Sequence, residues 1–283
     1  MLNRPTNLSE DRVREIERTL RELRTRLKRH VEAILEDVES EVLRNQLRQV
    51  AFASNELLPK RRRRPSVEIH HLVEQLLLAY GSEGKTTDNV LRFTLAVQEY
   101  YDISDDLIDG DVAEDSETEV LVTNELLLPL VLRLLGRLGD DAVTYWSHHA
   151  FRMASSFADE LLYDPSAEAY LDLIDKQSEL FGAVTGVATI AADCSDGRVE
   201  RAEAIGAAYF KHEQFLLDLE QYDGDDSDPW NAWHLLSADE ATDHIRGWQD
   251  DIIRLTDTLP DEHAELIRPL VAVDLDACRE RHL

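Results

Sequence analysis

Lysine is nearly missing from this chain. Of 30 basic residues in 283, only Lys28, Lys60, Lys85, Lys176 and Lys211 are lysine, and the other 25 are arginine. Against them stand 58 aspartates and glutamates, for a net charge of -28. A charge of that sign repels phosphate backbones and excludes nucleic-acid binding through a broad basic face. High ionic strength screens the self-repulsion of such a surface. The composition therefore predicts a halophilic protein that loosens at low salt, with an ordinary acidic cytosolic protein as the alternative. Glycine (11) and proline (8) are also scarce. Strand-rich and loop-rich folds need more turn residues, so a helical fold is expected. Two cysteines, Cys194 and Cys278, make no disulfide framework. The longest uncharged run, Leu180 to Ala192, is too short to span a bilayer. The first residues lack a basic-then-apolar leader pattern. A cytoplasmic protein without a transmembrane segment is expected.

What is present is helical periodicity. Val13, Ile16, Leu20, Leu23, Leu27, Val31 and Ile34 fall at steps of three and four, the stripe of an amphipathic helix. Ser9 is its expected N-cap, and Glu10 and Asp11 suit the positive end. A second helix is expected over Val38–Leu57, then a break from Pro59 to Pro65. Further helices are expected over Val67–Tyr80, Asn89–Ile108, Val120–Leu138, Asp141–Leu162, Ala167–Ala192, Glu200–Tyr222, Ala238–Leu259 and Glu262–Glu280. Asp109–Ser116 and Asp223–Asp228 read as loops. No repeat or long linker divides the row. The expectation is one all-α domain over 1–283: amphipathic helices in 1–58, a site-bearing core in 59–228 and closing helices in 229–283.

Two constellations could carry chemistry. Asp105 and Asp109 stand at i and i+4 on one helix face, with Asp106 beside them and Asp102 one turn earlier. Like charges at that spacing repel, and a divalent cation relieves the repulsion. Mg²⁺ prefers one or two carboxylates together with waters and substrate phosphate oxygens. In so acidic a chain the pentapeptide alone carries little weight, because a solvated acidic face looks the same. Its place at the end of a largely apolar helix favours a metal platform. The second constellation is Arg61-Arg62-Arg63-Arg64-Pro65. Arginine grips phosphate oxygens in a bidentate fork. An anion site is favoured there over a local salt-bridge patch.

An arginine cluster followed some 40 residues later by an aspartate platform resembles the trans-polyprenyl diphosphate synthase family, all-helical class I isoprenoid synthases. The resemblance covers roughly residues 50 to 225. Arg62 and Arg64 match the arginines of the family's Gly-Lys-Arg-x-Arg-Pro pattern, and Arg61 replaces its lysine. The resemblance implies that these three bind the homoallylic diphosphate. Asp105, Asp106 and Asp109 match the first aspartate-rich motif, which holds Mg²⁺ and the allylic diphosphate. Gln98 sits where a histidine is common. Asn124-Glu125-Leu126-Leu127 looks like a shifted Gly-Asp-x-Leu. Tyr170 and Lys176-Gln177 resemble the tyrosine and Lys-Thr segment, so Lys176 would meet the allylic diphosphate and Gln177 would lie beside it. Gly182 and Gly186 would permit close helix contact. Gly206 and Gln214 resemble the approach to the second aspartate-rich motif.

That second motif is incomplete. Its window reads Leu217-Asp218-Leu219-Glu220-Gln221, so only Asp218 matches. Glu114 to Glu117 replace the family's Arg-Arg-Gly. The resemblance implies a Mg²⁺-dependent, homodimeric prenyltransferase, in which Lys176, Gln214 and Asp218 complete the site. Isopentenyl diphosphate would be added to an allylic diphosphate. Tyr100 and Tyr101, just before the aspartates, would floor the product tunnel at C15 to C20; they are equally readable as core tyrosines. The incomplete second motif keeps another reading open. The chain would then be a non-catalytic paralogue that binds isoprenoid diphosphates or forms a heterodimer with an active synthase. A terpene cyclase or head-to-head synthase is a third reading, but it leaves the arginine cluster unused.

Overall fold

The computed structural model describes residues 4–52, 67–222 and 229–283. Among them the regular structure is helical, and the single β-type contact is an isolated antiparallel bridge between Thr6 and Val273.

Burial sorts the helices. α3 (Val67–Ala79), α4 (Lys85–Ile108) and α8 (Glu179–Ala191) have buried residues on nearly every face. They form the centre of the bundle, as helices apolar all round must. α1 (Glu10–Leu35) shows the amphipathic pattern instead: Ile16, Leu20, Leu23, Leu27 and Ile34 are buried and its remaining faces are largely charged. Its N-cap is Ser9, which accepts the Arg12 backbone N–H. α5 (Glu117–Gly136) lies on α4, and α6 (Asp140–Leu162) lies on α8. α9 (Asp196–Gln221) runs along α8 and is covered on another side by α11 (Ala238–Thr256). Around Phe215, Trp233 and Ile245 a second apolar cluster builds up, and Trp248 packs against both clusters.

Four boundaries depart from the sequence reading. The second helix, α2, is only Glu41–Val50, capped by Ser40; positions 53–57 lie outside the described residues. The expected helix Ala167–Ala192 is two, α7 (Ala167–Gln177) and α8, joined at Ser178, whose hydroxyl bonds the Asp175 carbonyl at 2.7 Å. A short helix, α10 (Ala232–Leu235), follows Asn231, whose side chain accepts the Trp233 N–H at 2.9 Å. The expected Glu262–Glu280 helix is broken into α12 (Asp261–Ile267), a 3₁₀ turn (Arg268–Val271) and α13 (Leu275–His282). Pro269 causes that break: it has no N–H, and its ring would clash with the carbonyl four residues back. That carbonyl, on Glu265, accepts the Arg12 guanidinium instead. The extended stretch so created pairs with the N-terminal segment, Asp274 N–H donating to Pro5 O at 3.0 Å.

Among the described residues, no helix is long and apolar enough to cross a membrane.

Candidate active site

α4 is buried along its middle turns and emerges again at its last turns, where the three aspartates of the motif sit. Asp109 caps the helix, its N–H bonding Asp105 O at 2.9 Å. Gly110, at φ +70°, then turns the chain out of the helix. The last turn is pinned from the side: Ser104 donates to Tyr100 O at 2.8 Å and accepts Asn124 Nδ2 at 2.8 Å. Asn124 thus ties α5 to the aspartate-bearing turn. An i, i+4 carboxylate pair is held at a fixed place on a rigid helix end.

Asp105 is crowded by protein yet open to water on one side, as on the wall of a cleft. Lost hydration, then the charges of Asp109, Glu160, Asp102 and Asp106, hold its carboxyl well above the usual carboxylate range. Because water still reaches the group, the like charges carry more of that shift than crowding alone would suggest. Glu160 comes from the end of α6 and was not singled out in the sequence. Its participation depends on α6 crossing near α4, which no local spacing reveals. The charges of four further carboxylates reach Asp105, an acidic surrounding that a hard divalent cation with open positions for phosphate oxygens would neutralise.

The other expected site residues fall as follows. Lys176, at the end of α7, pairs with Asp159 at 2.6 Å and Asp172 at 2.5 Å. Asp159 is the neighbour of Glu160, so the lysine is tethered close in sequence to the group facing Asp105. Its ammonium is already paired, with its pKa raised by those hydrogen bonds. Gln177 is half-buried beside it. Gln98 is buried two turns before Asp105, with no hydrogen-bond partner for Oε1 among the described residues. Tyr100 and Tyr101 meet edge-to-face at 5.3 Å, and Tyr101 stacks on Phe157 of α6 at 6.2 Å. Arg61, Arg62 and Arg64 lie outside the described residues, as does the acidic segment 223–228.

Asp218, expected as a metal ligand, accepts hydrogen bonds from three protein donors. It is 2% exposed. Its Oδ2 accepts the Tyr170 hydroxyl at 2.5 Å and the Ala232 N–H at 2.8 Å, while Oδ1 accepts Gln214 Nε2 at 2.9 Å. Asn231 bonds its carbonyl at 2.9 Å. Both carboxylate oxygens are taken by protein donors that fix α7 and α10 on α9. Gln214 and Tyr170 serve the same junction. The trio thereby joins α7, α9 and α10.

Arg4 was also not anticipated. It is nearly buried and reaches Glu213 at 2.9 Å and Glu220 at 2.5 Å on α9. The two glutamates are seven residues apart and share a helix face, so the N-terminal segment neutralises an acidic stripe next to Asp218.

No family model matches the chain, and no curated protein matches it in sequence. Solved structures do match in fold. A farnesyl/geranylfarnesyl-type (FPP/GFPP) synthase from Zymomonas mobilis superposes with a TM-score of 0.73 at 14% identity, covering 90% of this chain and 97% of that one. A polyprenyl synthase from Caulobacter crescentus, solved with calcium and isoprenyl diphosphate, gives 0.71 at 13% identity, covering 97% and 98%. A geranylgeranyl pyrophosphate synthetase from Geoglobus acetivorans gives 0.70 at 13% identity, covering 97% and 100%. Over nearly its whole length, the chain has the all-helical fold of the polyprenyl diphosphate synthases.

Proposed function

We propose that the protein is a prenyltransferase that joins isopentenyl diphosphate to an allylic diphosphate, giving a short-chain product of C15 to C20. The observation that carries this reading is the carboxylate cluster around Asp105, set at the open end of a buried helix within this fold. Asp105, Asp106 and Asp109 would hold Mg²⁺ against the allylic diphosphate. Bound there, Mg²⁺ would neutralise charge on the departing pyrophosphate. Lys176 would add a positive charge after exchanging one of its aspartate partners for phosphate. Arg61, Arg62 and Arg64 would grip isopentenyl diphosphate through bidentate contacts. Tyr100 and Tyr101 would line the apolar space that receives the chain. The reaction is ionisation of the allylic C–O bond, attack by the isopentenyl double bond, and loss of a proton from the new chain.

Asp218 lies outside this machinery, so one aspartate motif would do the work of two. Losing that second platform costs rate. Each 1.4 kcal/mol of lost transition-state stabilisation is about tenfold, and a slow enzyme is expected.

We also infer that two copies pair through the outer face of α5 and α6. Leu121, Val122, Leu132, Phe151, Leu161 and Leu162 are exposed there, Phe151 to 81%. Apolar side chains in that number along two adjacent helices are what a partner buries. Light scattering behind size exclusion should give twice the chain mass, and Phe151→Glu should shift it to the monomer. A monomeric wild type would leave the face to a second, different synthase subunit.

The test of the activity is product analysis with isopentenyl diphosphate, allylic partners from C5 to C20, Mg²⁺ and molar KCl. Product that disappears in Asp105→Asn supports the reading. A folded wild type that binds the diphosphates and releases no pyrophosphate would overturn it in favour of a non-catalytic subunit.

A further inference from the structure

Away from the aspartates, three ligand-bearing side chains meet where α6, α8 and α9 come together. His149, Glu179 and Glu203 bring one ligand atom each to within 4.8 Å of one another. Each comes from a different helix, so no sequence motif announces the group. His149 precedes Glu160 by eleven residues on α6, about 16 Å along the axis. Glu203 precedes Asp218 by fifteen on α9, about 22 Å. Glu179 follows Lys176 by three residues, but that lysine is paired with Asp159 and Asp172, so the three ligand groups are unused by the chemistry proposed above.

Its surroundings hold the three groups in place. Tyr145 donates to Glu203 Oε2 at 2.6 Å. Arg152 holds Glu179 Oε1 at 2.5 Å, and His149 Nδ1 approaches the other oxygen of Glu179. His149 is 7% exposed. Two glycines of α8 make the room. A Cβ on Gly186 would lie 2.2 Å from the Tyr145 hydroxyl, and one on Gly182 would lie 3.3 Å from Glu203 Cγ. The small residues that bring α8 close to its neighbours thus also admit the cluster.

Charge does not close the account. Arg152 offsets Glu179, but among the described residues Glu203 has no cationic partner and is met only by the neutral phenol of Tyr145. A metal-ligating imidazole is neutral, and with the ring neutral two carboxylates face the single guanidinium of Arg152, one positive charge short. We propose that His149, Glu179 and Glu203 form a binding site for a divalent transition-metal ion of the zinc type, linking α6, α8 and α9. One imidazole nitrogen with two carboxylate oxygens suits zinc, whereas magnesium favours oxygen-only sites with several waters. Zinc–ligand bonds of about 2.0–2.2 Å put ligand atoms roughly 3.5 Å apart. The ligand atoms, all within 4.8 Å of one another, reach that by small side-chain rotations in which the hydrogen-bonded His149–Glu179 pair opens to admit the ion. Tyr145 and Arg152 each already hold one carboxylate oxygen, the outer-shell support that such ligands have.

The test uses the full chain in molar KCl with Zn²⁺ or Co²⁺ alone and no diphosphate. One equivalent should bind saturably, raise the melting temperature, and give Co²⁺ visible bands of low coordination number. Glu203→Gln, which keeps the volume and a hydrogen-bond acceptor for Tyr145, and His149→Ala should each weaken binding at least tenfold. Asp105→Asn should leave it unchanged. Zn²⁺ uptake equal in wild type and Glu203→Gln, or lost in Asp105→Asn, would overturn the site, as would no saturable uptake at all. This readout does not depend on prenyl transfer, so a failed synthase assay leaves it intact.

Discussion

Tyr170 and Asp218 are joined by a hydroxyl-to-carboxylate hydrogen bond of 2.5 Å inside the junction of α7, α9 and α10. Both residues are at most 2% exposed. Removing one donor from a buried acceptor costs about 1–3 kcal/mol. Tyr170→Phe should lower unfolding stability by that amount in urea. Asp218→Asn should cost more, because its amide turns a donor toward one of the groups that now donate to it. Neither change should alter Mg²⁺–diphosphate affinity more than twofold by calorimetry, whereas Asp105→Asn should weaken it strongly. An Asp218→Asn protein of wild-type stability with weakened metal binding would return this residue to the site.

The contrast between Asp105 and Asp218 shows what the sequence could and could not say. Asp105, Asp106 and Asp109 lie on one helix, and their relation follows from a 3.6-residue period. So do the amphipathic stripe of α1 and the all-apolar character of α8. Asp218 looked like part of a motif because its identity and position in the window fitted one. Its hydrogen-bond partners include Tyr170 and Ala232, 48 and 14 residues away, which only packing brings to it. Glu160, Arg4 and the His149 cluster were missed for the same reason. Pro269 could have been read: it sits inside the expected last helix, and its missing N–H breaks that helix.

Two glycines should answer oppositely to alanine. At Gly206 a Cβ would lie 2.4 Å from the Phe181 carbonyl oxygen and 2.8 Å from its carbon, both backbone. α8 and α9 would have to separate, and overpacking of that kind costs about 1–3 kcal/mol. Gly247 lies inside α11 with nothing within 4 Å of the added carbon. Gly247→Ala should therefore gain up to about 1 kcal/mol from helix propensity. Denaturant midpoints of the two variants, measured together, check the close α8–α9 contact.

Acid should weaken the fold before carboxylates titrate. His71 is fully buried, and its Nε2 lies 3.0 Å from the Leu266 carbonyl, so that nitrogen carries the proton of the neutral ring. Burial pushes its pKa down, and burial does the same to His30. Below the unfolded value of about 6.5 the unfolded chain takes up protons that the folded chain refuses, so stability falls with pH. For one such histidine the loss at pH 5.5 is up to about 1.4 kcal/mol. Glu213, held low despite burial by Arg4 and His212, adds a further loss only below about pH 4.5. Asp105 acts with the opposite sign, since its raised pKa favours the folded state as pH falls. Comparing wild type with His71→Gln cancels that contribution. The variant should show a shallower loss between pH 7.5 and 5.5, whatever its absolute stability.

Salt should matter more than for a balanced protein. A net charge of -28 over 283 residues repels itself, and molar KCl shortens the screening length to about 3 Å. Melting temperature should rise steadily from 0.1 M to molar KCl, on the order of ten-fold in concentration. A flat profile would remove the salt-adapted reading of the composition.

Chain length should be set by the aromatic layer beneath the aspartates. Tyr101 stacks on Phe157 with an 18° tilt and leans on Trp146 at 6.4 Å, and Trp146 meets Phe93 edge-to-face at 5.1 Å. Burial pushes the Tyr101 phenol up to about 12, so it stays neutral and presents an uncharged wall at working pH. Tyr101→Ala removes a ring from the middle of this layer, leaving a cavity that costs about 3–5 kcal/mol if unrelaxed. An alkyl chain entering that cavity would regain part of the loss, which is why the product should grow by at least one C5 unit. Tyr101→Phe keeps the ring and should leave product length unchanged. Tyr100, half-buried at the edge of the layer, should give a smaller shift as Tyr100→Ala. Chromatography of the dephosphorylated products separates these outcomes. Equal chain lengths in all four proteins would mean that the two tyrosines only pack α4 against its neighbours.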